Sequence, residues 1–583
     1  MTGLPAIDIT GYSSLGEAAF LPDAKGSDTF QVNDSVLWSK GKHYLKAGGE
    51  YRWVRSRFDI DADARGVFSF TSGFTGNAFA DYLLGDPHTA TLNSELYGDQ
   101  RYKYYGAYIN DDWKVTPKLT LNLGIRYEYE TPAYERNNLQ SNFVVGPNIL
   151  IFPNNKIPPT TLIPASLAGN IPAGMDPRAL MEAHHNNWAP RAGLAYQLSR
   201  DTVIRIGGGL FYAEADANGA SSRPVSNPPF RTTYTYTADN IHPTLTFTTG
   251  FPVNAENPVY FDQSASSLIA WNAYSAVPVV YKWSANLQQQ IGKYLVDAGY
   301  VGTKSTHLMV QYDINQDYPG GTSTAARRPY QGFNTITYQD SMGNSEYEAL
   351  QMRIQRRYSN GISLLVSYTW NKSMDLGSGS LVADLAVRNV DDVGWERAVS
   401  SGNVRHRFVT SYTYALPVGR GKPFNFKNRA LAGIAGDWQL NGITTIRDGQ
   451  PFTPVLSTSS ANTGTARPNW NPYAGTPGFQ PAVNDWFDLA AFTTPKQYNY
   501  GNSGRDILYG PGAINFDASL FKRFPVKKLG ESAQVQVRFE GFNIFNHPNF
   551  GTPNANITVA QAGSITTLTT GVRILQAGVK LLF

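Results

Sequence analysis

The end of the chain constrains the fold more than any other segment. Residues 572–583 read VRILQAGVKLLF, and apolar side chains occupy every second position up to the terminal aromatic, namely Leu575, Ala577, Val579, Leu581 and Phe583. A two-residue period is the pattern of a β-strand with one apolar and one polar face. An unpaired apolar strand promotes aggregation. The sequence therefore predicts a final strand that belongs to a larger sheet.

The clearest predicted hairpin lies at residues 104–130. Its second arm reads LTLNLGIRYEYE, from Leu119 to Glu130, in which apolar or aromatic residues alternate with polar residues or glycine. An alternation of this length predicts a strand whose two faces differ chemically. The arms are separated by VTPK, in which Pro117 restricts the backbone and predicts a tight turn.

The same unit of two strands around a short turn recurs along the chain. Further hairpins are predicted at 34–58, 191–212, 279–302, 346–372, 406–447 and 513–545. The hairpin at 346–372 turns at an Asn-Gly pair, Asn360-Gly361, of the kind that favours two-residue hairpin loops.

Long segments rich in Asn, Pro, Gly, Ser and Thr separate the hairpins, at 131–187, 214–277, 303–345, 373–404, 448–512 and 546–571. Short and long connections therefore alternate, which places all short turns at one rim of an up-and-down sheet and all long loops at the other. We predict an all-β fold, a transmembrane antiparallel barrel of about sixteen strands with long extracellular loops. A soluble β-sandwich or multi-sheet protein is the alternative reading of the strands.

Strand length fits a membrane span. A strand of about twelve residues, rising roughly 3.3 Å per residue at a tilt of about 40°, crosses on the order of 30 Å. Aromatic residues lie towards the predicted strand ends: Trp113, Phe524 and Phe583 at the short-turn rim, and Tyr129, Trp283 and Trp370 towards the other. Asp111 and Arg356 fall on the outward register, near strand ends.

Composition agrees with this class. The 583 residues are 13% aromatic and only 16% charged, with no Cys, so disulfides and thiolate sites are excluded. No apolar run reaches the roughly 18 residues of a transmembrane helix. A net charge of +4 over this length gives no reason to expect a nucleic-acid partner. The N-terminus has neither the basic nor the apolar region of a signal peptide, which an exported protein would need.

Two sets of residues are candidates for solute contact. Four arginines fall on inward registers and are predicted to line the lumen, either free or paired with residues such as Glu128 and Glu540: Arg126, Arg205, Arg353 and Arg538. The loop 214–277 is dense in aromatic residues that could stack on a sugar or hold a peptide, the candidates being Tyr234, Tyr236, Tyr260 and Trp271. Mutual packing that orders the loop is the alternative role for these aromatics.

Catalytic and metal sites are not predicted. His184 and His185 are adjacent and lack a carboxylate at ligand spacing. Asp391, Asp392 and Glu396 lack an ordered calcium-loop pattern. The glycines 207–209 lie in a strand pattern without a following helix, which favours close packing over a phosphate site. No nucleophile motif is present, so we expect no enzyme activity, no cofactor and no metal.

Several segments resemble a known family. YYGAYINDDWKVTPKLTLNLGIRYEYETP, YSNGISLLVSYTWNKSMD, DWQLNGITTIRDGQPFTP and, most specifically, FEGFNIFNHPNFGTPN at 539–554 are similar to the outer-membrane TonB-dependent receptors of the Oar-like, acidobacterial type. WNAYSAVPVVYKWSANLQQQIGKYLVDAGYVGTKSTHL resembles them also. Members of that family resemble one another in having a regulatory domain, a plug domain and a 22-stranded barrel. No plug-like or regulatory region is recognised here, so residues 1–583 are interpreted as the C-terminal part of such a barrel.

The resemblance implies an outer-membrane transport protein for an unidentified solute: an oligosaccharide, a peptide or a metal chelate. It also implies several partners, namely outer-membrane lipid and lipopolysaccharide, the barrel-assembly machinery that reads a C-terminal aromatic, and TonB if a plug domain is supplied. The assembly signal that this resemblance implies consists of Leu575, Ala577, Val579, Leu581 and Phe583. A passive porin or a surface adhesin-type barrel is the first alternative function. A soluble β-rich binding protein is the second.

Overall fold

A computed structural model describes most of the chain, and all statements about structure concern these residues. They are 3–21, 23–60, 63–94, 97–159, 163–213, 227–231, 233–239, 241–251, 267–378, 383–419, 421–424, 426–526, 530 and 532–583. Three short helices are α1 (Ala78–Leu84), α2 (Thr324–Arg327) and α3 (Arg429–Ala435). None of the helices in the described part of the chain is long and apolar enough to cross a membrane.

One large sheet dominates the described residues, and we call it the wall. Its fifteen long strands, in chain order, are β1 (Asp23–Lys40), β2 (His43–Ile60), β3 (Tyr97–Thr116), β4 (Leu119–Glu130), β5 (Trp188–Gln197), β6 (Thr202–Tyr212), β7 (Val279–Ile291), β8 (Tyr294–Asp313), β9 (Ile336–Ser359), β10 (Ile362–Asp375), β11 (His406–Ala415), β12 (Gln439–Arg447), β13 (Ala513–Pro525), β14 (Gln534–Phe542) and β15 (Ile574–Leu582). The all-β, up-and-down fold predicted from the sequence is confirmed.

Every wall strand pairs antiparallel with its neighbours in chain order, from β1–β2 to β14–β15. β1 and β15 each have one paired wall strand among the described residues. Four short strands extend the sheet at its loop rim, namely Tyr134–Glu135, Leu268–Trp271, Ala383–Asp384 and Ala398–Val399.

Short and long connections alternate as the sequence predicts. β1–β2, β3–β4, β7–β8 and β9–β10 are each joined by two residues, whereas long loops follow β2, β4, β6, β8, β10, β12 and β14. Several strands are longer than predicted, since β1 begins at Asp23 rather than at residue 34 and β3 begins at Tyr97 rather than at residue 104. Segment 303–345 is not irregular throughout, because β8 continues to Asp313 and β9 begins at Ile336, with bulges near Leu308. These bulges interrupt the side-chain alternation that would have revealed both strands.

The wall has an exposed apolar face. Cross-strand register places Ile109 opposite Ile125, and Ile206 opposite Ala285, on this face. Their large apolar side chains remain accessible, Ile109 at 49% and Ile206 at 52%. A continuous exposed apolar surface on a protein of this size is typical of contact with lipid.

Aromatic side chains border the apolar face at both rims. Towards the loops, the rings of Tyr51 and Tyr105 lie 5.3 Å apart and those of Tyr105 and Tyr129 lie 6.1 Å apart. At the short-turn rim, Trp113 stacks on His43 at 5.2 Å. This distribution is the pattern of two interfacial girdles.

The two charged residues that the sequence places on the outward register, Asp111 and Arg356, are both paired. Asp111 accepts a hydrogen bond from His43 at 2.7 Å. Arg356 donates to the Tyr294 hydroxyl at 3.1 Å, and its guanidinium lies over the Tyr294 ring. Because both pairs lie close to the turns, neither charge faces the middle of the apolar band unpaired.

The long loops form folded caps. The first cap is a four-stranded sheet of Ala6–Ile9, Val67–Phe70, Thr89–Asn93 and Thr233–Thr237, packed on α1. A second contains the strands Asn142–Val144, Ile149–Ile151 and Ala168–Gly169 around a buried aromatic core that includes Phe143 and Phe152. The third cap joins loops 448–512 and 543–573. Its elements are the strands Pro451–Phe452, Leu508–Tyr509, Asn469–Trp470 and Phe492–Thr493, and the 3₁₀ turns Pro472–Ala474 and Leu489–Ala491.

Candidate functional site: the polar face of the wall

The face of the wall opposite the apolar face is polar, and all four predicted arginines lie on it. Arg126 is the most constrained of them. Its Nε donates to Glu128 at 2.6 Å, and Nη2 contacts Glu50 at 3.0 Å and donates to the Tyr104 hydroxyl at 2.7 Å. Tyr104 in turn donates to Glu128 at 2.9 Å. Three wall strands, β2, β3 and β4, are therefore tied together by one charged network.

The other three arginines are paired locally. Arg353 donates twice to Asp297, at 3.1 and 2.8 Å, directly across the β8–β9 ladder. Arg538 pairs with Glu540, as the sequence suggested. Arg205 donates to Gln288 at 2.7 Å.

The structure does not bring these arginines into one cluster, because they stand on four different strands. Arg126, Arg353 and Arg538 each have a carboxylate partner, whereas Arg205 has only the neutral amide of Gln288. Sequence reasoning missed Glu50, Tyr104 and Asp297, although extending the two-residue period through β2, β3 and β8 would have placed all three on the polar face.

A cavity of about 610 Å³ opens on the polar face of β8–β11 near the loop rim. Hydroxyl, amide and charged side chains contribute most of its lining: Ser345, Tyr347, Thr369, Asn371, Ser373, Asp375, Ser378, Ser400, Asn403 and Arg407. A second cavity of about 410 Å³ continues along the wall and includes Asn286, Gln351 and Arg353. Thr369 lines both cavities. Together they form a polar path from the loops towards the middle of the wall.

Two loops are locked together above this path by ion pairs. Arg505 contacts the Asp375 carboxylate and donates to the Asp375 carbonyl at 2.9 Å and to Asp506 at 3.0 Å. Glu396 and Arg467 form a second, buried pair. Burial raises the pKa of the Asp506 carboxyl. These residues join loops far apart in sequence, so no local pattern could have predicted their association.

Arg388 completes the junction with aromatic partners. Its guanidinium lies 4.4 Å from the ring centre of Trp395 and 5.9 Å from that of Tyr500, and it donates to the Gly501 carbonyl at 2.6 Å. Burial, with a smaller contribution from Arg467, lowers the pKa of Arg388. These cation–π contacts and the hydrogen bond to Gly501 hold this part of loop 376–405 against loop 448–512.

Three of the four candidate loop aromatics lie in the described residues, two on a strand of the first cap and one on a short strand that extends the wall. Tyr236 packs against the core of the first cap, with its ring 6.0 Å from Phe251. Tyr234 lies two residues earlier on the same short strand, and its side chain is half-buried. Trp271 is also half-buried, and its backbone pairs with Gln339 of β9. Tyr260 lies outside the described residues, so its contact with solute remains a prediction, as do those of the other three.

The residues considered for metal or phosphate have other partners. His184 hydrogen-bonds the Ser275 carbonyl at 2.7 Å, while His185 stacks on Tyr129 at 4.5 Å. Gly208 lies inside β6, where an added Cβ would lie 3.1 Å from the Lys282 carbonyl oxygen. Within the described residues, no three His, Asp or Glu side chains are grouped as metal ligands.

The terminal strand belongs to the apolar face. Val579 stands opposite Val537, and Leu581 opposite Val535, so the predicted assembly signal continues the lipid-facing surface. Val579 is 74% exposed and Phe583 is 81% exposed. A model of the outer membrane beta barrel domain matches residues 1–576. The chain belongs to this family. Family membership and the exposed apolar band together place the protein in the outer membrane.

Solved structures of outer-membrane receptors resemble this member of the family at low identity. The transporter YddB from Escherichia coli matches with 10% identity and a TM-score of 0.47, covering 96% of this chain and 53% of that one. The siderophore receptor PiuA from Acinetobacter baumannii matches with 10% identity and a TM-score of 0.44, covering 96% and 56%. The FrpB iron transporter from Neisseria meningitidis matches with 10% identity and a TM-score of 0.43, covering 96% and 55%.

The chain spans about half the length of these solved structures. A search of curated protein sequences found no match.

Proposed function

We propose that this chain forms the wall of an outer-membrane transport protein of the TonB-dependent receptor type, in its Oar-like branch. The observation that carries the proposal is the polar path on the inner face, which begins under the loops and continues past Thr369 towards Arg353. A lipid-facing exterior with a polar interior serves the passage of hydrophilic solutes. The sequence segments that resemble Oar-like receptors support the receptor type.

The proposed solute is hydrophilic and bears hydroxyl or amide groups, as an oligosaccharide or a peptide does. The upper cavity offers hydroxyls and carboxamides, and its carboxylate Asp375 is already neutralised by Arg505. A lining of this kind favours directional hydrogen bonds over net charge attraction. The proposed function requires no catalysis. TonB is the proposed energy-coupling partner, acting through a plug domain.

Uptake by intact Gram-negative cells tests the proposal. Cells that express the full chain joined to a plug domain in their outer membrane are given radiolabelled oligosaccharides, peptides and a ferric chelate, with and without a functional TonB. Uptake of one class that requires TonB supports the receptor type. Uptake that does not require TonB and depends only on solute size would establish a passive porin instead. Absence of uptake for every class, with the protein present in the membrane, would contradict a transport role.

A matched pair of variants tests whether the polar path is the route. Thr369 faces the path, whereas Val366, three residues away on β10, lies on the lipid-facing register. Thr369→Trp should therefore reduce uptake by obstructing the junction of the two cavities. Val366→Trp should leave uptake unchanged, because it adds an aromatic ring only to the lipid-facing side. Equal effects of the two variants would exclude this route.

A further inference from the structure

One connection at the short-turn rim differs from the others. β11 and β12 are joined by residues 416–438, although four of the connections at this rim contain only two residues. This segment, which we call the rim segment, contains helix α3. A connection of this length is not needed to join two antiparallel neighbours, so the contacts of the segment itself indicate its role.

A buried lysine of the wall holds the helix on the lipid-facing side. Lys522 of β13 stands opposite Val537 on the apolar face, yet it is only 4% exposed. Its ammonium donates to the carbonyl of Gly433, to that of Gly436 at 2.5 Å and to that of Ile434 at 3.4 Å. These carbonyls lie at the C-terminal end of α3, where backbone acceptors are otherwise unpaired and the helix dipole favours a cation.

An aromatic contact fixes the same helix end. The Trp438 indole donates to the Ile434 carbonyl at 2.8 Å, and its ring lies 6.0 Å from Phe539, another residue of the apolar face. Lys522 and Trp438 therefore hold α3 against the outside of the wall rather than beneath its polar interior. An ammonium on the lipid-facing register would be costly without these carbonyl partners.

The rim segment presents apolar side chains away from the wall. Phe424 is 65% exposed, Phe426 42%, Leu431 52% and Ile434 68%. Leu431 and Ile434 are three residues apart and so share one side of the helix. Lys427 and Arg429 are exposed beside them. Exposed Phe, Leu and Ile flanked by cations is the composition of a segment that lies in a membrane interface.

We propose that the rim segment is an interfacial anchor for the phospholipid leaflet at the short-turn rim. Phe424, Phe426, Leu431 and Ile434 insert below the headgroups, while Lys427 and Arg429 contact lipid phosphates. Lipid is the occupant because the exposed patch continues the apolar face at Phe539, which already contacts the bilayer. The anchor rests on membership of the outer-membrane family and is independent of the transported solute.

Because the chain has no Cys, single cysteines can report on the anchor. Leu431→Cys and Ile434→Cys would carry an environment-sensitive fluorophore in the full chain, reconstituted in phospholipid vesicles. The control is Lys293→Cys in the exposed two-residue turn between β7 and β8, at the same rim. Lipids with a shallow spin label should quench the fluorophore at 431 and 434, and aqueous iodide should quench it several-fold less there than at 293. Equal iodide quenching at the three positions would overturn the anchor.

Charge provides a second measurement. Raising the fraction of anionic phospholipid should increase the quenching of the fluorophore at 431 by labelled lipid. Lys427→Glu combined with Arg429→Glu should abolish this dependence on anionic lipid. The double variant should keep the heat-modifiable migration of a folded barrel. If the fluorophore at 431 and 434 is protected from iodide in whole cell envelopes but not in purified vesicles, a protein covers the segment. That result would also overturn the proposal.

Discussion

Glu396 and Arg467 form an ion pair in which both side chains are almost completely buried, at 2% and 3% exposure, although the residues lie 71 positions apart. Glu396 also accepts a hydrogen bond from the backbone amide of Arg388 at 3.0 Å. The pair therefore fixes loop 376–405 to loop 448–512 above the polar path.

Removing one member of this pair should destabilise the loop junction strongly. Glu396→Gln leaves the guanidinium of Arg467 buried without a counter-charge, a loss of about 3 to 5 kcal/mol. Limited proteolysis should then cleave loops 376–405 and 448–512 faster, while the wall stays intact. Breaking the exposed Arg397–Glu346 pair by Glu346→Gln is the control, since a pair at 43% and 39% exposure contributes about 0 to 1 kcal/mol. Similar cleavage rates for both variants would contradict the buried pair's role.

The first cap should weaken on acidification through Asp81. This carboxylate is 1% exposed and accepts hydrogen bonds from the Thr75 hydroxyl at 2.6 Å and from the amides of Phe74 and Thr75. Burial raises the pKa of Asp81, but these hydrogen bonds lower it by more, so the pKa lies below its ordinary value of 3.8. The stabilisation is therefore present above pH 3.8 and is lost as the pH falls through the folded pKa.

Asp81→Asn should accordingly accelerate hydrogen exchange in α1 at pH 7. The free energy of local opening should fall by roughly 1 to 3 kcal/mol, the cost of leaving buried donors unsatisfied. The difference from the unsubstituted chain should shrink as the pH falls through the lowered pKa of Asp81, below which both side chains are uncharged. A difference that is constant across this range would show that the charge of Asp81 contributes nothing.

The two faces of β15 should respond differently to substitution. Val579→Asp places a charge on the lipid-facing register and should cost up to about 2 kcal/mol, lowering both outer-membrane yield and the denaturant midpoint. Lys580→Gln, on the polar face opposite Gln536, should change neither quantity. If both variants lose yield equally, the assignment of lipid-facing and polar faces is wrong.

Phe583 should matter for assembly more than for stability. Its deletion removes one interfacial aromatic worth about 1.5 to 3 kcal/mol of apolar burial, a small part of the stability of so large a sheet. We expect outer-membrane yield to fall steeply while the denaturant midpoint of the assembled fraction changes little. A large fall in midpoint with normal yield would assign the residue a structural role instead.

The alternation of connections predicts which rim faces outwards. A cysteine in place of Tyr473, which is 95% exposed in loop 448–512, should react with an impermeant maleimide on intact cells. A cysteine in place of Lys293, in the two-residue turn, should react only after the outer membrane is permeabilised. Labelling of both positions on intact cells would contradict the predicted orientation.

The sequence by itself determined the wall. The predicted arm 119–130 coincides with β4, and the inward registers of Arg126 and Arg538, with their partners Glu128 and Glu540, agree with the observed ladders. Prediction succeeds here because successive residues of a strand face opposite sides of the sheet, so apolar and polar residues alternate when the two sides differ. Consecutive strands also pair as neighbours. The same local rule failed at the bulges of β8, where alternation is interrupted.

Only the tertiary structure decided how the loops and the rim segment pack. Glu396 meets Arg467, and Lys522 meets the carbonyl end of α3, through contacts between segments distant along the chain. Neither pairing produces a periodic pattern in the sequence. A single charged residue in a loop or on an outward register is compatible with many partners. Such contacts form when the pairing of consecutive strands brings separate connections to one rim, and the cost of burying a charge then selects the partner that neutralises it.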